Sequence, residues 1–144
     1  MADVRYKPLH VGISVSNIEE AVKWFEDVLG FVLRDKSDFT PMGFRVAFLD
    51  NGGGFEIELF ENKETKPTPE DRRHPDPDSK TQGTKHIAFE VDDLDKELAW
   101  FESKGIKPIL GPVESFGLYV AYIHGPDKIP IEFIEWDRKK GGEK

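Results

Sequence analysis

The chain has 144 residues, 38% hydrophobic and 33% charged, a balance that fits a single soluble domain with a modest core. Its net charge of −8 argues against nucleic acid and anionic membrane as partners, because both select basic surfaces. It has no cysteine, which excludes disulfides, thiolate metal sites and a cysteine nucleophile, and leaves histidine and carboxylate as the metal-binding side chains. No apolar run is long enough to span a bilayer. The opening MADVRYKPLH lacks the apolar stretch of a signal peptide, so a cytoplasmic location is expected.

In chain order, Val11, Ile13 and Val15 alternate with small polar residues and predict a strand opened by His10. A helix follows. Asn17 is a good N-cap, with Glu20 three residues on as in a capping box, and Ile18, Ala21, Val22, Phe25 and Leu29 form one apolar stripe. Gly30 is placed to end it. Strands are then expected near 31–36, 44–50 and 55–62, the last two joined by the turn NGGG. In FEIELFE, Phe55, Ile57 and Leu59 alternate with Glu56 and Glu58. A glutamate on the open face of such a strand needs no special role, and for Glu58 alone that reading stands.

Lys63–Thr84 holds four prolines and many charges without a periodic apolar face, and is expected to be a linker, a lid or both. Its Arg72, Arg73 and His74 would cap a bound anion or form a solvated cluster. Beyond it the pattern repeats. Ile87, Phe89 and Val91 predict a strand, Asp93 caps a helix striped by Leu94, Leu98 and Phe101, and Gly105 ends it. Further strands are expected near 106–110, 117–124 and 129–136, the last two joined by GPDK.

The repeat is close at the residue level. His86 lies 76 residues after His10, and Trp100, Phe101 and Glu102 repeat Trp24, Phe25 and Glu26. YVAYIHGPDKIPIEFIE matches RVAFLDNGGGFEIELFE at an offset of 74, pairing Glu58 with Glu132 and Glu61 with Glu135. The chain is thus two copies of a βαβββ unit, roughly 5–62 and 81–138, within one domain spanning 1–144. The fold class is α+β, with tandem units forming a cupped mixed sheet and the helices outside.

Two histidines and two glutamates therefore occupy matched places, each histidine opening a first strand and each glutamate midway along a last strand. Pseudo-symmetric units are able to bring four such ligands to one point. Imidazole and carboxylate suit zinc, nickel, iron, manganese or cobalt, and such an ion polarises a carbonyl or enediolate oxygen. Glu61 and Glu135 fall on the opposite strand face. Glu56 shares the face of Glu58, either near the ion or solvated.

LHVGISVSNIEEAVKWFEDVLGF, FEIELFE, KHIAFEV and IPIEFIE together resemble the vicinal oxygen chelate superfamily, which includes glyoxalase I, methylmalonyl-CoA epimerase, extradiol dioxygenases and the fosfomycin and bleomycin resistance proteins. The resemblance covers the chain apart from Lys63–Thr84 and the tail DRKKGGEK. In its glyoxalase I branch the metal ligands run His, Glu, His, Glu, which implies His10, Glu58, His86 and Glu132 here, with one divalent metal per site. Glu132 or Glu58 would then serve as the catalytic base. Where glyoxalase I carries an arginine for a glutathione carboxylate this chain has Ser14, whereas Asn62 matches a glutathione-contacting asparagine.

The resemblance implies a metal-dependent lyase, isomerase or epimerase that moves a proton alpha to a carbonyl on a small chelated substrate, working as a homodimer. Two alternatives stand beside it: an iron-dependent ring-cleaving dioxygenase, and a non-catalytic protein that binds a drug or metabolite.

Overall fold

The computed structural model describes residues 5–136, which divide into two compact units between Pro67 and Thr68. The first holds β1 (His10–Ser14), α1 (Ile18–Leu29), β2 (Val32–Lys36), β3 (Phe44–Asp50) and β4 (Glu56–Asn62). The second holds α2 (Pro75–Asp78), β5 (Ile87–Glu90), α3 (Leu94–Ser103), β6 (Leu110–Ser115), β7 (Leu118–His124) and β8 (Pro130–Trp136). Each unit has one four-stranded mixed sheet, in the orders β1-β4-β3-β2 and β5-β8-β7-β6. The first strand runs parallel to the last, and the other pairs are antiparallel. This is the expected α+β architecture of two βαβββ units. No helix among the described residues is long and apolar enough to cross a membrane.

In the first unit Ala47 pairs with Leu59 and Leu49 with Ile57, and all four are fully buried on the sheet face that α1 covers. Asn17 accepts from the backbone N–H of Glu20 at 2.9 Å, and Gly30 closes the helix in the left-handed region. The buried stripe is Ile18, Ala21, Val22, Phe25 and Val28. Val28 joins the stripe, while Leu29, expected in it, is only half-buried in the last turn beside Gly30. In the second unit Phe101 of α3 packs on Phe133 of β8, ring centroids 4.9 Å apart. Phe25 and Phe101 are essentially buried, and each such side chain contributes about 1.5–3 kcal/mol.

The second strand of the second unit departs from its expected position. It runs Leu110–Ser115 instead of 106–110 and shifts register against β7 between Leu110 and Val113. Gly111 and Pro112 read as a turn in sequence but lie inside the strand. Gly111 has φ of 83°, and a Cβ there would sit 2.6 Å from the Val120 carbonyl oxygen, so only glycine fits.

Residues 63–67 belong to the first unit, where Lys63 N–H donates to Gly43 O. Residues 68–84 form an arm on the second. Its centre is Asp78, 2% exposed, which accepts from Arg72 Nε at 3.0 Å and Lys85 Nζ at 3.1 Å. Burial pushes the Asp78 carboxyl up, but these hydrogen bonds and charges more than reverse it and hold it below its ordinary 3.8. Thr68 Oγ1 donates to Asp127 O, and His124 Nε2 donates to Arg73 O, fastening the arm to the turn between β7 and β8.

Candidate metal centre

The parallel pairing of β1 with β4 puts Gly12 beside Glu58 and His10 beside Glu56, so the histidine stands next to the open face carrying Glu58. His10 Nε2 lies 2.8 Å from Glu58 Oε2, with the side chains 34% and 16% exposed. Phe48 of β3 pairs directly with Glu58 and presents its ring to the His10 imidazole edge-on, centroids 6.4 Å apart. The alternation that buries Ile57 and Leu59 under α1 turns Glu56 and Glu58 outward.

The second unit repeats this. His86 immediately precedes β5 and Glu132 lies mid-way along β8; His86 Nε2 is 3.4 Å from Glu132 Oε2. Tyr122 pairs with Glu132 as Phe48 pairs with Glu58. Its hydroxyl adds a contact that phenylalanine lacks, 3.4 Å from His86 Nε2. Burial raises the Glu132 carboxyl above its ordinary 4.5, with the His86 charge pulling the other way.

The donor chemistry fits a divalent ion. Imidazole nitrogen and carboxylate oxygen each bind such an ion at about 2.1 Å, which places adjacent donors about 3.0–3.4 Å apart for octahedral to tetrahedral angles. The His86–Glu132 separation of 3.4 Å falls at the upper end of that range, and the His10–Glu58 separation of 2.8 Å is a direct contact about 0.2 Å short of its lower end. Among the described residues no group of three or more His, Cys, Asp or Glu side chains is drawn together for an ion; each unit brings together one His–Glu pair, a candidate half-site.

The remaining candidates have structural partners. Glu61 Oε2 accepts from the Ile18 backbone N–H at 2.8 Å, and Glu135 Oε1 accepts from Leu94 N–H at the same distance. Each satisfies a first-turn donor that its helix cannot, on the face away from the half-site. Glu56 is neither solvated nor on the imidazole; it forms a two-pronged ion pair with Arg34. Asn62 accepts from the backbone of Glu64, and Ser14 is exposed. Arg72, Arg73 and His74, considered as an anion cap or a solvated cluster, work inside the arm: Arg72 on Asp78 and Thr84 O, Arg73 on Thr68 O, His74 as cap of α2. The matched tryptophans differ: Trp100 is 42% exposed with Lys104 over its ring, while Trp24 packs edge-on against Phe25. Arg34, Phe48 and Tyr122 escaped the sequence reading. The offset of 74 already pairs Phe48 with Tyr122, which was the available signal.

Comparison with known proteins bears on the family and the fold. The chain is 30% identical over 141 residues to the lactoylglutathione lyase of Haemophilus influenzae, covering 93% of this chain and 96% of that protein. It is 31% identical over 130 residues to the uncharacterized protein YwbC of Bacillus subtilis, covering 88% and 94%. Among solved structures, a glyoxalase family protein from Enterococcus faecalis superposes with a TM-score of 0.76 over 91% of this chain and 98% of that one, at 23% identity, which bears on the fold. A model of the Glyoxalase/Bleomycin resistance protein/Dioxygenase superfamily matches residues 9–122, and the chain belongs to that superfamily.

Proposed function

We propose that this chain is a metal-dependent enzyme of the lyase or isomerase type that moves a proton alpha to a carbonyl on a small molecule. The observation that carries this reading is the His–Glu contact, built twice from matched positions at ligand spacing. His10, Glu58, His86 and Glu132 would hold one divalent ion, of zinc, nickel, cobalt, manganese or iron. When bound, that ion supplies Lewis acidity toward neighbouring substrate oxygens. Glu58 and Glu132 are the groups placed to take a proton and return it, each within reach of an imidazole that steadies its charge. Phe48 and Tyr122 wall the two pairs and limit water beside them. The reading needs both pairs at one ion, from one chain or two, and a homodimer of the 16.4 kDa chain is its expected assembly. The similarity to lactoylglutathione lyase is a reason to test the hemithioacetal of methylglyoxal and glutathione as a substrate. Ser14 favours other 2-oxo or 2-hydroxy carbonyl compounds, because a serine cannot form the two-pronged contact that an arginine makes with a carboxylate.

The test is hydrogen exchange. Metal-loaded protein is incubated in heavy water with 2-oxo and 2-hydroxy carbonyl compounds and with the hemithioacetal, and loss of the alpha proton is followed by NMR. Exchange on at least one oxo or hydroxy compound, weak on the hemithioacetal and abolished in Glu132→Ala or Glu58→Ala, is expected. Compounds that bind without exchange, equally well in the alanine variants, would make this a sequestering protein.

A further inference from the structure

The ion pair between Arg34 and Glu56 is present in one unit only. Asp35 pairs with Phe48 as Leu110 pairs with Tyr122, which matches Arg34 to Ile109, and the offset of 74 matches Glu56 to Pro130, so the second unit builds the same strands with neither charge. The βαβββ fold therefore does not require the pair. Its placement is also particular. The β2–β3 register shifts between Leu33 and Asp35, at Arg34, and such irregularities re-aim side chains. The Arg34 guanidinium lies over the Phe48 ring, 4.9 Å from its centroid, on the face where Phe48 meets His10 and pairs with Glu58.

The guanidinium is half-used. Its Nε and Nη2 donate to the two oxygens of Glu56 along one edge. A guanidinium has five N–H donors, so the end-on fork of Nη1 and Nη2 remains with no hydrogen-bond partner among the described residues, although the charges of Asp35 and Asp50 also act on it. The Arg34 side chain is 50% exposed, while that of Glu56 is 16% exposed. Glu56 and the Phe48 ring thus fix the plane and leave a pre-oriented fork facing solvent beside the half-site.

We propose that Arg34 is a substrate-binding residue that takes a carboxylate on this free fork. It rests on the metal-dependent reading above and narrows its substrate class: an acid whose anionic carboxylate stands apart from the oxygens beside the carbonyl. Glu56 is the positioning residue, holding the guanidinium flat for two parallel hydrogen bonds to the incoming group.

The probes are 2-oxoglutarate and 2-oxopentanoate, which share the 2-oxo acid end and differ in the distal carboxylate. Calorimetric titration into nickel-loaded protein should show 2-oxoglutarate binding about tenfold tighter, the scale of a charge-assisted pair at a half-exposed site. Arg34→Gln should erase that preference and leave 2-oxopentanoate binding and nickel content unchanged, and Arg34→Lys should keep part of it. Glu56→Gln should keep or increase the preference, since its amide oxygen still accepts from Arg34 and holds the guanidinium in place while the competing charge is gone. That sign separates the proposal from a purely structural bridge, for which loss of either partner acts alike on both acids, and it holds even if Arg34→Gln folds poorly. Equal binding of the two acids to nickel-loaded wild type overturns the inference alone. Failure to retain nickel overturns the metal reading with it, and metal analysis registers that outcome separately.

Discussion

The two units share one group of contacts and differ in another. Both cap the helix with an Asx side chain and clasp its first N–H with a carboxylate from the last strand, Glu61 in one and Glu135 in the other. Both tie the first helical turn to the strand before, through Arg45 and Glu19 in one and the Tyr119 hydroxyl and Asp95 in the other. Both set a histidine against a glutamate. Only the first unit has the Arg34–Glu56 pair; only the second has the Tyr122 hydroxyl and the arm around Asp78. A contact built twice is one the βαβββ unit or a shared site requires. A contact built once serves something else, and each unit acts as the other's control.

The largest effect should come from the arm. Asp78→Ala strips the single anion from under two cations, and because Arg72 and Lys85 are partly exposed the cost falls at the low end for a buried pair, about 3 kcal/mol. The sign with pH follows from its lowered carboxyl. Its stabilisation is complete above the ordinary 3.8 and is lost as pH falls through the lower folded-state value. Denaturation curves of wild type and Asp78→Asn should therefore differ at neutral pH and converge in acid; a constant gap would contradict this.

The shared clasps come next. Glu135→Ala leaves a buried helix N–H without its acceptor and should cost about 2 kcal/mol. Glu61→Ala should cost less, about 1–2 kcal/mol, because its site is more open to water. Urea titration reads both, and an effect confined to one unit would break the equivalence.

The turns sharpen the comparison further. Lys128 sits at φ of 61° where its counterpart Gly54 sits at 87°. Lys128→Gly should stabilise by about 0.5–1 kcal/mol and Gly54→Ala should destabilise by about 1 kcal/mol, opposite shifts in melting temperature from one backbone conformation. Smallest is Tyr122→Phe, which makes the second half-site resemble the first and removes a long hydrogen bond worth about 0.5 kcal/mol.

Both half-sites were legible in sequence because alternation fixes which residues share a strand face, and duplication marked His10, Glu58, His86 and Glu132 as matched. Arg34 was not legible. A register shift at one residue breaks the parity on which face assignment depends, and nothing in VLRDK announces it. The second strand of the second unit was misplaced because Gly111 and Pro112 carry turn chemistry into a strand. The arm's interior was hidden for another reason: Arg72, Asp78 and Lys85 follow no period, and only the folded chain brings two cations onto one carboxylate.

The central claim is tested most directly by counting metal. Elemental analysis of purified protein should give about one divalent ion for each set of four ligands, removable by a chelator. Alanine at His10, Glu58, His86 or Glu132 should each lower affinity by at least about 100-fold, since the loss of a mere supporting residue costs 10–100-fold. Glu61→Ala and Glu135→Ala, assayed well below their melting temperatures, should retain the wild-type ratio. A metal-free wild type, or a ratio that falls as far for Glu61→Ala as for Glu58→Ala, would contradict the account.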